Sequence, residues 1–389
     1  MTRIDTDWLK RPETQGVLAM LTDAGAQALV VGGAVRNALM GRPATDIDIA
    51  TSAEPGEVVD LAGAAGFRSV PTGADHGTIT VIVGETPFEV TTFRRDIETD
   101  GRHAVVAFSR DIADDAARRD FTINALYADA SGAVTDLVGG LRDLEARRIV
   151  FVGDASARIE EDHLRSLRFF RFFAEYGNPE TGLDPDALDA VASHLDGLDT
   201  LARERVGAEM RKLLAAPDPA PALAAMEGTG ALIRLLPGAV VSSVTPLVHL
   251  EEIAGVTPQW LSRLAVMGEA DAANALRLSK KEARDLDTLQ RHLSSVAGPA
   301  EIAWRHGPET AWQVALIRSA SLASPLAPDL AQEIGKGAAA TFPLSAKDLM
   351  PELDGPALGK ALAEGERLWI ASDFQMDAGA LKDAVGKAG

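Results

Sequence analysis

Residues 28–49 read Ala28-Leu29-Val30-Val31-Gly32-Gly33-Ala34-Val35-Arg36-Asn37-Ala38-Leu39-Met40-Gly41-Arg42-Pro43-Ala44-Thr45-Asp46-Ile47-Asp48-Ile49. The apolar stretch from Gln27 to Val31 predicts a buried strand that runs into a glycine pair. Without a Cβ, Gly32 and Gly33 let backbone N–H groups approach phosphate oxygens closely. Asp46 and Asp48 stand one residue apart on a strand-like segment, and alternation puts both on one face. Two such carboxylates can share divalent cations whose other ligands are phosphate oxygens. A lone Gly-Gly is usually a turn, and a lone Asp-x-Asp usually a solvated strand end. In this order they are equipment for a metal-bound nucleoside triphosphate, and the pairing implies nucleotidyl transfer.

Working outward, Gly77–Val83, the turn at 84–87 and Phe88–Phe93 predict a β-hairpin with alternating faces. Glu89 falls on its second strand, away from Phe88 and Val90. If that strand joins the sheet carrying Asp46 and Asp48, Glu89 is a third carboxylate, either a metal ligand or a base for the incoming hydroxyl. Arg118-Arg119 precedes the stretch Asp120-Phe121-Thr122-Ile123-Asn124-Ala125-Leu126, expected to be an apolar helical run. The arginine forks, with Asn124 one turn on, can clamp a triphosphate.

Glu161-Asp162-His163-Leu164-Arg165-Ser166-Leu167-Arg168-Phe169-Phe170-Arg171-Phe172 is a third cluster. On a continuous helix Asp162 and Arg165 are neighbours, so a carboxylate and a guanidinium stand side by side. Such a pair reads a base: the amino group of cytosine or adenine donates to Asp162, and the adjacent ring nitrogen accepts from Arg165. Uracil and guanine present the opposite pattern and are refused. Arg168 continues the row toward the nucleotide, whereas at about 100° per residue Arg171 has wound half a turn away from Asp162. The alternative is a local salt bridge on an amphipathic helix whose Leu164, Leu167 and Phe170 side is core.

At 389 residues more than one domain is expected. Up to about Arg148 the pattern is mixed α/β, and beyond it helical periodicity persists to the end. Breaks fall at Gly177-Asn178-Pro179, Ala216–Pro219, Ala297-Gly298-Pro299 and Gly355-Pro356. The fold class is therefore α+β: an α/β head over 1–148, a helical neck over 149–215 and a helical body and tail over 216–389. Zero cysteines exclude a disulfide framework and thiolate metal sites. No stretch approaches the roughly 20 apolar residues of a membrane span, and no signal-peptide core precedes the head. A soluble cytoplasmic protein without membrane partners is expected. The net charge of −19 opposes nucleic-acid binding unless basic residues are sorted into patches. Lys280, Lys281, Arg284 and Lys360 are candidates for a helical RNA footprint, with the backbone at 355–359 offering further N–H donors.

The glycine pair with Asp-x-Asp resembles the signature of DNA polymerase beta type nucleotidyltransferases. The ordered set Gly-Gly-Ala-Val-Arg, Asp-Ile-Asp, Glu-Val-Thr-Thr-Phe-Arg, Arg-Arg-Asp-Phe-Thr-Ile-Asn-Ala-Leu, Glu-Asp-His-Leu-Arg-Ser-Leu-Arg-Phe and Arg203-Glu204-Arg205-Val206 resembles the class II CCA-adding enzymes and bacterial poly(A) polymerases. This resemblance spans about Ala28 to Leu214. It implies a nucleotidyltransferase head followed by neck, body and tail, with Mg2+ used to add C, C and A from CTP and ATP to the 3′ end of tRNA. It further implies metal at Asp46 and Asp48, triphosphate at Gly33, Arg36 and an arginine of the Arg118-Arg119 pair, and base selection by Asp162 and Arg165 with Arg168 nearby. Asn37 departs from the family's aspartate, removing a charged partner for Arg36 but leaving an amide acceptor. The polar stretch Arg95–His103 resembles the family's flexible loop. Poly(A) synthesis or partial CC- or A-addition is the rival activity, although no Lys/Arg-rich extension is present. An inert RNA-binding module conflicts with the intact Asp46 and Asp48. Histidine-dependent phosphohydrolase activity is unsupported, because none of the seven histidines precedes an aspartate.

Overall fold

The structure is a computed structural model describing residues 2–44, 46–100, 103–350 and 352–386, with side chains excepted at 75, 96–100 and 103–106. It divides into two compact units, Met1–Val241 with Asn274–Arg277, and Ser242–Ala273 with Leu278–Gly389.

In the first unit, helices α1 (Asp7–Lys10) and α2 (Pro12–Thr22) lead into β1 (Ala28–Val31), α3 (Gly33–Leu39) and β2 (Asp48–Thr51). Next come α4 (Pro55–Ala64), β3 (Arg68–Gly73), β4 (Thr78–Val83), β5 (Thr86–Thr92), β6 (Arg94–Asp100) and β7 (His103–Phe108). Helix α5 (Ile112–Ala117), β8 (Leu126–Ala128), β9 (Val134–Asp136) and α6 (Gly140–Glu145) complete the mixed part. Seven strands form one sheet in the order β3-β4-β5-β2-β1-β8-β9, while β6 and β7 pair separately. Only β2 and β5 run parallel in that sheet, so the chain must cross over between them, and α4 makes that crossing. Glu54 and Glu57 close a reciprocal cap at its start. Val31, Ala50, Phe93, Ala116, Ala125 and Tyr127 pack into one buried cluster beneath the central strands.

After β9 the first unit is helical: α7 (Ala155–Glu161), α8 (Leu164–Tyr176), α9 (Pro185–Ser193), α10 (Arg203–Ala215), α11 (Ala220–Thr229) and α12 (Ala231–Leu235). The change of composition near 148 is real, but it does not separate two compact bodies. Phe121 from the head packs with tilted rings against Phe151, Phe169 and Phe172 at centroid distances of 4.9, 6.5 and 5.0 Å, so the sheet and α8 share one core.

Three expectations change. Arg118 and Arg119 follow the C-terminal end of α5 instead of preceding a helix; Thr122–Asn124 is a single 3-10 turn and Leu126 enters a strand. Pairing of β8 with β1 overrides the helical pattern there. The polar stretch at 95–103 is largely the β6/β7 hairpin, with Gly101 and Arg102 outside the described residues. Asp162 is not helical: its φ of −154° and ψ of 103° break the chain between α7 and α8.

The second unit is all helical, from Val244–Ala254 to Ala378–Gly386. The Arg263 guanidinium is fully buried and donates from Nε and Nη2 to Glu251 Oε2 at 3.1 and 2.8 Å. Trp369 packs against Trp304, Phe342 and Phe374 near the C-terminus. Among the described residues no helix is long and apolar enough to cross a membrane.

Candidate active site

Register brings the carboxylates together. Asp48 lies opposite Val31 on one side and opposite Glu89 on the other, so Asp48 and Glu89 project from adjacent strands on the same face. Asp46 precedes β2 and lines the same cleft of about 720 Å³ with both of them. Burial first, and then the facing Glu89 and nearby Asp46 charges, push the Asp48 carboxyl up to about 6, with Arg119 pulling the other way. A concentration of negative charge where β2 and β5 meet the cleft suits a divalent cation. Among the described residues no three such side chains close around a metal by themselves. The donor set therefore fits a metal completed by substrate oxygens, held by Asp46 and Asp48 with Glu89 beside them.

The glycine turn stands on the other side of Asp48, at the end of β1. Gly32 has φ 72° and ψ −124°, a conformation open in practice only to glycine, and α3 begins at Gly33. A Cβ added to Gly32 would lie 3.7 Å from Nη1 of Arg119, which puts that guanidinium at the turn. Arg119 donates to Asp115 Oδ2 from Nε and Nη2 at 3.1 and 2.8 Å, and Arg118 donates to Asp115 Oδ1 at 2.9 and 2.5 Å. The Tyr127 hydroxyl donates to Asp115 as well, at 2.8 Å. Burial opposes the Asp115 charge, yet Arg119 and Arg118 outweigh it and hold that carboxyl below its usual range. Asp115 was absent from the sequence reading. Its signal was available, since it stands three and four residues ahead of the arginines, the spacing that lets side chains meet across the last turn of a helix.

Arg36 is buried and spent on protein partners. It donates from Nη1 to Asn124 Oδ1 at 2.6 Å, from Nε and Nη2 to Asn37 Oδ1 at 3.2 and 3.0 Å, and from Nη2 to the Tyr176 hydroxyl at 2.9 Å. Its guanidinium also sits 4.0 Å from the Tyr176 ring centroid. The Asn37 amide thus accepts as its sequence position suggested, and it donates on to Pro43 O at 3.0 Å. Asn124 donates to Asp120 Oδ1 at 3.0 Å, and Asp120 Oδ2 accepts from Arg168 Nε at 2.8 Å. Arg36 and Asn124 are therefore struts that tie the glycine helix α3 to α8, instead of groups facing an open cleft.

At the break before α8, Asp162 and Arg165 do not pair with each other. Asp162 Oδ1 accepts from the Leu164 N–H at 3.1 Å and Oδ2 from Arg205 Nη2 at 2.7 Å. Arg165 forms an ion pair with Glu161 and donates to the carbonyls of Arg158 and Arg118 at 3.0 and 3.3 Å. The contact to Arg118 O links Arg165 to the Arg118-Arg119 pair. Arg171, with 9% of its side chain exposed, pairs with Glu209 on α10 at 2.5 Å and with Glu175 at 2.9 Å. That burial makes it a brace between α8 and α10, with its guanidinium engaged by Glu209 and Glu175.

In the second unit, Lys280, Lys281 and Arg284 share the first turns of the helix Lys280–Leu293. Lys281 pairs with Asp285 at 2.7 Å, and Arg284 Nε donates to Lys280 O at 3.2 Å. Lys360 lines a separate cleft of about 760 Å³ with Glu364 and Lys382.

Fold and cleft together define the class: a nucleotidyltransferase head joined to helices. Residues 28–150 match the family described as "Poly A polymerase head domain", and residues 182–241 match that described as "Probable RNA and SrmB- binding site of polymerase A". The chain is 34% identical over 326 residues to the CCA-adding enzyme of Geobacillus thermodenitrificans, covering 80% of this chain and 79% of that one. It is 43% identical over 186 residues to the mitochondrial CCA tRNA nucleotidyltransferase 1 of Danio rerio, spanning 48% of this chain and less than half, 43%, of that relative. The fold resembles the crystal structure of the Bacillus stearothermophilus CCA-adding enzyme in complex with CTP, with TM-score 0.71, 28% identity and coverage of 93% and 94% of the two chains. The chain belongs to the CCA-adding enzyme family, whose nucleotidyltransferase chemistry generally uses a divalent metal.

Proposed function

We propose that this protein adds C, C and A, from CTP and ATP, to the 3′ end of tRNA, using Mg2+. The observation that carries the reading is the direct opposition of Asp48 and Glu89 on parallel strands, with Asp46 in the same cleft. Bound metal supplies charge neutralisation at the attacking and leaving oxygens of an in-line displacement. The protein's own groups do the rest. Backbone N–H groups at Gly32-Gly33 and the Arg119 fork, held by Asp115, receive the triphosphate. Asp46 and Asp48 hold the cation, and Glu89, beside them on the sheet, helps to hold it or accepts the proton of the attacking hydroxyl.

Base choice falls to Asp162 and Arg165. Arg205 already orients one oxygen of Asp162, so a cytosine or adenine amino group can approach that carboxylate while Arg165 leaves Glu161 to donate to the ring nitrogen. Asp162→Ala is expected to relax exclusion of UTP and GTP, against a parent selectivity on the order of 10⁴-fold. Retained strict preference for C and A in a four-nucleotide competition would reduce Asp162 to a partner of Arg205.

Sequencing the products from tRNA lacking its terminal CCA tests the reaction itself. CTP alone should give two added C residues, and both nucleotides together should give CCA and then stop. The poly(A) polymerase reading, favoured by the descriptions of the two matched families, would instead give runs of A from ATP alone.

A further inference from the structure

The cleft that holds the three carboxylates has a second wall, and that wall comes from the N-terminal segment ahead of the residues matched to the head family. Trp8 on α1 and Arg11, between α1 and α2, line it together with Asp46, Asp48, Glu89 and Thr80. The corner that presents them is fixed. Thr14 Oγ1 donates to Trp8 O at 2.7 Å, and Gln15 Nε2 donates to Leu9 O at 2.8 Å and to Ala130 O at 3.0 Å. Trp8 is half-buried where it lines the cleft, and Arg11 is exposed. The Arg11 guanidinium has no ion-pair or hydrogen-bond partner among the described residues, although Asp7, Asp46, Asp48 and Glu89 border the same cleft.

Direction assigns this wall a ligand. In an in-line displacement at phosphorus, the attacking hydroxyl enters opposite the leaving pyrophosphate. The glycine turn follows Val31, which faces Asp48 from β1, and Arg119 lies at that turn with its charge acting on Asp48; neither lines the Trp8 cleft. The side bordered by Trp8 and Arg11 is thus left for the attacking strand. An aromatic face beside an unpaired guanidinium is the pairing that holds single-stranded nucleic acid, with the ring stacking on a base and the cation meeting a backbone phosphate. We propose that Trp8 and Arg11 seat the 3′-terminal nucleotides of the RNA acceptor, so that its end hydroxyl faces Asp46, Asp48 and Glu89. This deepens the nucleotidyl-transfer reading and rests on it.

The test uses the full chain, tRNA lacking its CCA end, CTP and Mg2+. Trp8→Ala should raise the KM for RNA about tenfold, the scale of one lost base–aromatic stack, and leave the KM for CTP within about twofold. Trp8→Phe, which keeps a ring, should recover most of the loss. Arg11→Gln, an exposed change that leaves folding intact, should raise the RNA KM and flatten the slope of log KM against log salt by about 0.7, one single-strand phosphate. Unchanged RNA KM in both Trp8→Ala and Arg11→Gln overturns the assignment, as does a KM for CTP that rises in step with that for RNA. A parent protein that adds nothing to any RNA overturns the nucleotidyl-transfer reading first, and the acceptor site with it.

Discussion

Two carboxylates of the head have opposite electrostatics. Asp48 is raised to about 6 by burial and by its acidic neighbours, whereas Asp115 is held low by two arginines. For Asp48 the folded pKa exceeds the unfolded one, so the metal-free protein loses stability as pH rises from about 4 through about 6. Asp48→Asn should therefore raise the Tm of the metal-free protein at pH 7.5, by the equivalent of ~1–2 kcal/mol after allowance for the wet edge. The gain should vanish by pH 4, and an equal gain at both pH values would mean that charge is not its source. Nucleotide addition by the same variant should be abolished. Asp115→Asn removes the charge that aligns Arg118 and Arg119 but keeps an acceptor in place. It should raise the KM for CTP and for ATP about tenfold, in line with weakened charge-assisted hydrogen bonds. Parent-like nucleotide KM values with a lowered Tm would show a purely structural carboxylate.

At the scale of elements, α8 is the organising piece. Its apolar face, Leu164, Leu167, Phe169, Phe170, Phe172 and Phe173, fills the core, and its polar positions brace three directions at once. Arg168 reaches Asp120 after α5, Arg171 reaches Glu209 on α10, and Tyr176 takes the hydroxyl bond from Arg36 on α3. Arg171→Ala leaves Glu209 buried without its cation, which should cost about 3 kcal/mol. Arg171→Ala combined with Glu209→Ala should cost less than the single change, and the KM for CTP should hold at a temperature where both fold. A raised KM with an unchanged Tm would return Arg171 to the nucleotide. The hydrophobic period of α8 was legible before the structure, because it depends on spacing alone. Its start was not legible: Asp162 looked like the preceding helical turn until its extended backbone showed the break.

For the whole molecule the excess of acid matters most. With a net charge of −19, the proposed binding of tRNA would rest on few phosphate contacts and on local basic groups. Lys281 is 87% exposed but shares its charge with Asp285, so its contribution is smaller than a free lysine's. Lys280→Ala with Lys281→Ala should weaken tRNA binding by less than about tenfold and reduce the salt slope by between about 0.9 and 1.8. Unchanged affinity and slope, measured by filter binding across a salt series, would move the helical footprint elsewhere. The two compact units also show how domain expectations shift. A change from mixed to helical composition near 148 was visible in the residues, whereas the shared aromatic core that makes head and neck one unit was not.

The sequence by itself determined the chemistry and the class of fold. A glycine turn after a buried strand, an Asp-x-Asp and a helical period are local patterns, fixed by neighbours a few residues apart. Tertiary structure decided which charges meet. Asp162 pairs with Arg205, 43 residues away, and Arg168 with Asp120, 48 residues away, although closer opposite charges were on offer. Spacing constrains only groups on one element, while a long side chain turns to whichever partner the packed core leaves within reach. For the same reason Trp8 and Arg11 carried no signal in the sequence: they join Asp46, Asp48 and Glu89 in one cleft only where the α1–α2 corner folds beside β4 and β5.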